Sequence, residues 1–264
     1  MHRFAVVGNP VAHSLSPQIH QCFAAQCNVQ LTYEKIKGDG SQFEQQVSDF
    51  FAANGKGLNI TLPFKQRAFS LAQSTTERCQ IAGAANTLWI DNNTLQADNT
   101  DGIGFIRDIS GYLNLVGKKV LILGAGGAVR GIVGPLLKAN LASLTVANRT
   151  LTNAQQLKQD FPLIQCCELT QINAAFDLVI NATAASLEGK SLALPPAFKS
   201  HKPFCYDLAY KADEDTHFVR DAKLLGCNAV DGLGMLVEQA AEAFYLWHGI
   251  RPEVKPVLDQ LRGD

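Results

Sequence analysis

The run Lys119-Val120-Leu121-Ile122-Leu123, followed at once by Gly124-Ala125-Gly126-Gly127-Ala128, constrains the fold more than any other part of this sequence. Five apolar-rich residues form a compact buried strand, and the glycine turn opens a stretch of helical spacing that reaches about Ala139. Strand, glycine turn and helix in that order are the context of a dinucleotide-binding fingerprint. The first glycine permits the tight turn and the second lets the backbone approach a pyrophosphate. The helix start adds free N–H groups and a favourable dipole. The third fingerprint glycine is replaced by Val129, so a glycine turn with no ligand stays open as the competing reading.

The next apolar run, Leu144 to Ala147, leads into Asn148-Arg149-Thr150. An NAD-binding chain usually carries Asp or Glu here for the ribose 2′-OH. Arg149 is instead a permanent cation suited to a 2′-phosphate, with Asn148 and Thr150 as hydrogen-bonding neighbours. The balance favours NADP over NAD, with an exposed structural arginine as the alternative.

A length of 264 residues favours two domains. With 23 basic against 24 acidic residues and no basic block, the chain lacks the footprint of a nucleic-acid binder. No apolar run is long enough to span a membrane, and the opening MHRFAVVGNP is too short in apolar residues for a signal-peptide core. The expectation is a cytoplasmic protein. The seven cysteines (Cys22, Cys27, Cys79, Cys166, Cys167, Cys205, Cys227) contain no C-x-x-C pair, so free thiols are expected, with neither disulfide nor metal site.

Short apolar runs alternate with helical stretches along the chain, which predicts an α/β fold built on βαβ units and parallel sheets. Strands are expected at Phe4–Val7, Leu31–Ile36, Gly57–Ile60, Phe176–Ile180, Phe204–Leu208 and Ala229–Val230, besides the two above. Helices are expected from Pro17, with Ser16 as N-cap, over Phe43–Ala53 and over Leu236–Trp247. Thr87–Ile90 and Thr94–Ala97 read as a hairpin closed by Asp91-Asn92-Asn93. Gly102, Gly104, Gly232 and Gly234 are candidate points of passage between domains. Residues 1–101 with 235–264 would form one domain and 102–234 the other.

Four polar constellations sit at strand ends, where open α/β sheets place their ligands. Ser14 and Ser16 offer two hydroxyls that suit a carboxylate, or serve only to cap a helix. In Asn59-Ile60-Thr61-Leu62-Pro63-Phe64-Lys65, Asn59 and Thr61 face one way, and Lys65 lies near a helix start. A lysine there runs against the usual preference for acidic residues; it is suited to proton transfer, unless it is simply solvated. Asn86-Thr87 and Asp98-Asn99-Thr100-Asp101-Gly102 complete the set. Asp101 can pair with Lys65 and a substrate hydroxyl, or act as an ordinary N-cap. Residue patterns alone reach a nucleotide domain joined to a polar-lined domain, with the substrate open.

Taken together, these segments resemble the shikimate dehydrogenase family over nearly the whole chain. The resemblance rests on Ser14-Leu15-Ser16-Pro17, Asn59 to Lys65, Gly83-Ala84-Ala85-Asn86-Thr87, Asn99-Thr100-Asp101-Gly102, Gly124 to Ala128 and Asn148-Arg149-Thr150. It continues through Asn181-Ala182-Thr183, Tyr206-Asp207-Leu208-Ala209-Tyr210 and Asp231-Gly232-Leu233-Gly234-Met235-Leu236. It implies an α/β substrate domain and a Rossmann-like, doubly wound NADP domain, with the C-terminal helices returning to the first. It also implies reversible NADPH-dependent reduction of 3-dehydroshikimate to shikimate. By resemblance Ser14 and Ser16 hold the carboxylate, Thr61, Asn86 and Gln239 contact ring hydroxyls, and Tyr210 lines the substrate side. Lys65 and Asp101 form the catalytic pair. Gly124, Ala125, Gly126, Gly127, Ala128, Asn148, Arg149, Thr150, Thr183, Gly232 and Met235 fall to the cofactor.

Two departures stand out. Asn153 occupies the stretch where the family often has a second arginine, and Ala184-Ala185-Ser186 replaces a loop that is often Ser followed shortly by Gly. Rival readings are a quinate/shikimate dehydrogenase using NAD and a non-catalytic NADP or shikimate sensor. A short-chain dehydrogenase dyad at Tyr33 and Lys37 fails, because in a strand those side chains stand roughly 13 Å apart. The chain is expected to be a monomer or homodimer.

Overall fold

Phe4-Ala5-Val6-Val7 is apolar at every position, the pattern of a strand covered on both faces. In the computed structural model, which describes residues 2–172, 174–183, 185–186, 189–192, 197–211 and 214–263, all four are buried. Ala5 and Val7 pack with Phe43, Phe50, Leu58, Ile60 and Phe64, while Phe4 and Val6 pack with Tyr33 and Trp247. Two compact units result: residues 1–104 with 237–264, and residues 105–236.

The first unit begins β1 (His2–Gly8), α1 (Ser16–Gln26), β2 (Leu31–Lys37), α2 (Phe43–Ala52), β3 (Gly55–Ile60) and α3 (Lys65–Leu71). It continues β4 (Ser74–Thr75), α4 (Glu77–Ala82), β5 (Thr87–Asp91), β6 (Thr94–Asp98) and the first turn of α5 (Asp101–Ser110). Its sheet runs β2-β1-β3-β5-β6-β4. The parallel expectation holds for β1 with β2 and β3, but β5 enters antiparallel to β3 and pairs antiparallel with β6. The hairpin is tighter than expected. Asp91 pairs with Thr94, leaving Asn92-Asn93 as a two-residue turn with φ of 48° and 60°. Both residues must be left-handed in such a turn, and asparagine tolerates this.

The second unit holds β7 (Lys119–Leu123), α6 (Gly127–Leu137), β8 (Ser143–Asn148), α7 (Leu151–Asp160), β9 (Gln165–Glu168), β10 (Leu178–Asn181) and α8 (Ala197–His201). β11 (Phe204–Asp207), α9 (His217–Leu224), β12 (Ala229–Val230) and the start of α10 (Leu233–His248) follow; α11 (Lys255–Arg262) belongs to the first unit. Its sheet is parallel throughout the described pairings, in the order β12-β11-β10-β7-β8-β9. The strand order reverses between β7 and β10, which makes their carboxyl ends the crevice of a doubly wound sheet.

Gly102 and Gly104 lie inside α5 and Gly234 inside α10, and the division between the units falls within these same helices, after Gly104 and after Leu236. Gly104 and Gly234 are closely packed. A Cβ on Gly104 would stand 2.7 Å from the Gln239 backbone nitrogen, and one on Gly234 would stand 2.0 Å from Asp108 Oδ1. No helix among the described residues is long and apolar enough to cross a membrane.

Candidate active site

In the first unit the turns after β1, β3 and β6 and the entry to β5 deliver the polar constellations. Ser14 Oγ donates to Ser16 Oγ at 3.1 Å and accepts from the Ser16 backbone N–H at 3.3 Å. Ser16 was expected to cap α1; it is instead the first helical residue, the N-cap position falls on Leu15, and no side chain caps the helix. The adjoining Pro17, without an N–H of its own, leaves less for a cap to satisfy. The two hydroxyls are bonded to one another, and the Ser16 side chain also interacts with the Tyr33 phenol, so neither serves as a helix cap.

Thr61 follows β3 and is tied down by its N–H to the Val7 carbonyl at 2.9 Å. Lys65 opens α3 and Asp101 opens α5. Their side chains meet, Nζ to Oδ2, at 2.6 Å, with 14% and 9% of each exposed. The other Asp101 oxygen accepts from Asn86 Nδ2 at 2.9 Å, and its backbone N–H is held by Asn99 Oδ1 at 3.1 Å. Gln239, on α10, joins the same cluster: its Oε1 accepts from Asn86 Nδ2 at 3.1 Å and from Thr100 Oγ1 at 3.3 Å. The structure thus gathers Lys65, Asn86, Asp101 and Gln239 around one charged pair, with Ser14, Ser16 and Thr61 on neighbouring turns of the same unit. Tyr210, expected on the substrate side, belongs to the second unit, where it is half-buried.

The sequence places Asp98 in this loop without showing what it does there. Asp98 is fully buried; its Oδ1 accepts from Asn99 N at 2.6 Å and Thr76 Oγ1 at 2.5 Å, and its carboxylate is clamped by Arg78. Arg78 also reaches Glu242 on α10 at 2.9 Å. A buried carboxylate needs such partners. The only sequence signal was an Asp preceding Asn-Thr-Asp, with the partner arginine twenty positions away.

In the second unit Gly124 ends β7 with φ of +105°, a conformation that L side chains rarely adopt, and a Cβ there would stand 3.0 Å from the Ala182 carbonyl. The ends of β7 and β10 therefore approach backbone to backbone. Gly126 is the N-cap of α6, with no side-chain cap, and a Cβ on it would meet nothing within 4 Å. Gly126 and Gly127 are exposed. An uncapped helix start with open backbone beside it fits a pyrophosphate. Val129, in place of the third glycine, is fully buried.

At the end of β8 the Asn148 side chain donates to the Thr150 carbonyl at 2.9 Å and fixes the turn, while Arg149 is exposed. Among the described residues Arg149 has no ion-pair partner, which suits an incoming phosphate. Asn153 lies in α7 and donates its backbone N–H to Thr150. Thr183 Oγ1 donates to Asn181 Oδ1 at 2.7 Å. The Asn181 amide and Ser186 in turn bind Asp207, at 2.9 and 2.6 Å. Burial pushes the Asp207 pKa up, against the donors that surround it. Of the altered loop Ala184-Ala185-Ser186, Ala184 lies outside the described residues, and Ser186 is buried on Asp207. Gly232 and Met235 are buried at the start of α10.

Three family models match. Residues 6–88 match the shikimate dehydrogenase substrate binding domain, residues 107–195 match shikimate/quinate 5-dehydrogenase, and residues 232–262 match the shikimate 5′-dehydrogenase C-terminal domain. The chain is 59% identical over 262 residues to the shikimate dehydrogenase (NADP(+)) of Legionella pneumophila (strain Lens), covering 99% of each chain. It superposes on an Ael1 enzyme from Pseudomonas putida with a TM-score of 0.91 at 43% identity, over 99% of this chain and 98% of that one. Against the shikimate 5-dehydrogenase of Thermus thermophilus, solved in complex with NADP(H) and shikimate, the TM-score is 0.89 at 33% identity, over 100% and 99% of the two chains. The chain belongs to the shikimate dehydrogenase family.

Proposed function

We propose that this chain is an NADP-dependent shikimate dehydrogenase that reversibly reduces 3-dehydroshikimate to shikimate, a step towards chorismate and the aromatic amino acids. The observation that carries the reading is the Lys65–Asp101 pair, set at 2.6 Å inside a cluster of amides and hydroxyls. Relatives named for the same reaction, and a structural neighbour solved with NADP(H) and shikimate, support it. In this reading the first unit takes the substrate and the second takes NADP.

Ser14 and Ser16 donate to the substrate carboxylate without bringing a full charge. Thr61, Asn86 and Gln239 orient the ring hydroxyls, and Tyr210 completes the substrate side. Gly124 to Ala128 receive the pyrophosphate, and Asn148, Arg149 and Thr150 receive the 2′-phosphate. Thr183, Gly232 and Met235 line the remainder of the cofactor site. The bound nicotinamide supplies the hydrogen and electron pair that reduce the ring ketone. Lys65 Nζ passes a proton to the oxygen that becomes the hydroxyl and takes it back in the oxidation direction. Its positive charge stabilises the developing alkoxide, and Asp101 holds Nζ in place while accepting from the hydroxyl.

The test is shikimate oxidation followed with NADP and with NAD, in wild type and Lys65→Ala. Robust NADP turnover, weak NAD turnover and a large loss in the variant are expected. Absence of shikimate turnover with either cofactor would sink the reading.

A further inference from the structure

Asn59 and Thr87 face one another across the antiparallel β3–β5 pair, and a run of hydrogen bonds passes through them to Asp101. Backbone groups fix the direction of every link. Asn86 Oδ1 accepts from the Thr100 backbone N–H at 2.8 Å, so it must be the oxygen; its nitrogen then faces Asp101 Oδ1. Asn59 Nδ2 donates to the Asn86 backbone carbonyl at 3.2 Å, which leaves Asn59 Oδ1 facing Tyr33 Oη at 2.6 Å as an acceptor. Thr87 Oγ1 stands 3.2 Å from the donor Asn59 Nδ2 and 2.9 Å from the acceptor Asn86 Oδ1. Its single hydrogen therefore points to Asn86.

The Asn86 amide is the element this order controls. Its nitrogen has two hydrogens and three acceptors in reach: Thr100 Oγ1 at 2.8 Å, Asp101 Oδ1 at 2.9 Å and Gln239 Oε1 at 3.1 Å. Which acceptors it serves depends on how firmly its oxygen is held. Tyr33 is buried and stacked on His20 at 4.5 Å, and Thr87 is fully buried, so these anchors are rigid. A phenylalanine and a valine would fill both places without burying a hydroxyl, which costs free energy unless its bonds are made.

We propose that Tyr33 and Thr87 are positioning residues for the reaction: acting through Asn59 and Asn86, they engage one oxygen of Asp101 and leave the other for Lys65. Neither touches substrate. The inference rests on the reading of Lys65 and Asp101 as the catalytic pair.

Thr87→Val keeps the shape and loses the hydroxyl; Thr87→Ser keeps the hydroxyl and loses a methyl. The relay requires kcat about tenfold lower in Thr87→Val and within about twofold of wild type in Thr87→Ser, with KM for NADP unchanged in both. A residue that serves only to fill space gives the opposite order, because valine packs a sealed site better than serine, and that order overturns the proposal. Tyr33→Phe is expected to lower kcat comparably, and the Tyr33→Phe/Thr87→Val double variant to fall no further than the worse single. Losses that multiply overturn it. Should Thr87→Val fail to fold, Tyr33→Phe decides alone, since unchanged kcat there removes the relay. Lys65→Ala distinguishes the two readings. If it keeps turnover, the catalytic pair fails and the relay with it; if it loses turnover while Thr87→Val is unaffected, only the relay fails.

Discussion

Lys65 and Asp101 each stand on the first residue of a helix, thirty-six positions apart in sequence, and their charges meet at 2.6 Å. A carboxylate at a helix start is favoured by the dipole, whereas an ammonium there is not. The pair offsets that cost at α3. Lys65→Ala is expected to lower kcat for shikimate oxidation by about 10²–10⁴-fold, the span of a positioned general acid or base. Shikimate binding, read by calorimetry, should survive. Loss of binding at unimpaired kcat would contradict the assignment.

Arg149 offers an exposed guanidinium at the end of β8. Arg149→Ala should raise KM for NADP by about 10–100-fold, the worth of one or two charge-assisted bonds, and leave KM for NAD unchanged. Equal effects on the two cofactors would mean that the residue does not read the 2′-phosphate.

Gly124 combines a positive φ of +105° with a 3.0 Å approach to Ala182. Gly124→Ala is expected to lower stability by about 1–3 kcal/mol and to weaken NADP binding more than shikimate binding. Thermal melts with each ligand separate these effects. An alanine variant with wild-type NADP affinity would show that the turn does not receive the pyrophosphate.

His20 is completely buried among Phe23, Tyr33, Phe244 and Trp247, and neither ring nitrogen makes a hydrogen bond of normal geometry among the described residues. Burial, aided by the nearby His248, pushes its pKa down to about 3, against a weaker opposing pull from Asn59. The unfolded imidazole takes up its proton near pH 6.5, well before the folded one does. Stability is therefore complete above about pH 6.5 and falls as pH drops towards 3, because the unfolded chain binds the extra proton. At pH 5 the loss from this group is about 2 kcal/mol. Urea unfolding of wild type and His20→Phe at pH 7.5 and 5 measures it; the variant should lose visibly less stability on acidification. Equal losses would place the acid sensitivity elsewhere.

Much of this molecule was legible in the sequence, for physical reasons that differ by element. Lys119–Leu123 and Ala229–Val230 were located to the residue, because short apolar runs bounded by turn residues have few other uses. Gln165–Glu168 went unread as β9: a polar strand at the sheet edge carries no alternation to detect. The antiparallel entry of β5 was invisible because pairing direction is a tertiary choice. Single residues such as Lys65 and Arg149 stood out by violating a local preference. Asp98, Thr87 and Tyr33 violate none, and their partners lie on strands and helices that only the fold brings alongside.

The return of α10 and α11 to the unit built by the first hundred residues carries a consequence for synthesis. A ribosome releases the chain from its N-terminus, so the sheet made by β1 to β6 emerges while Gln239, Phe244 and Trp247 are still unmade. Until they arrive, His20 lacks two of the rings that seal it, and Asn86 lacks its third acceptor. The first unit is begun first and finished last, and the second unit can fold in the interval between. A chain ending before residue 233, once released, would therefore hold a nearly whole nucleotide fold and a half-closed core.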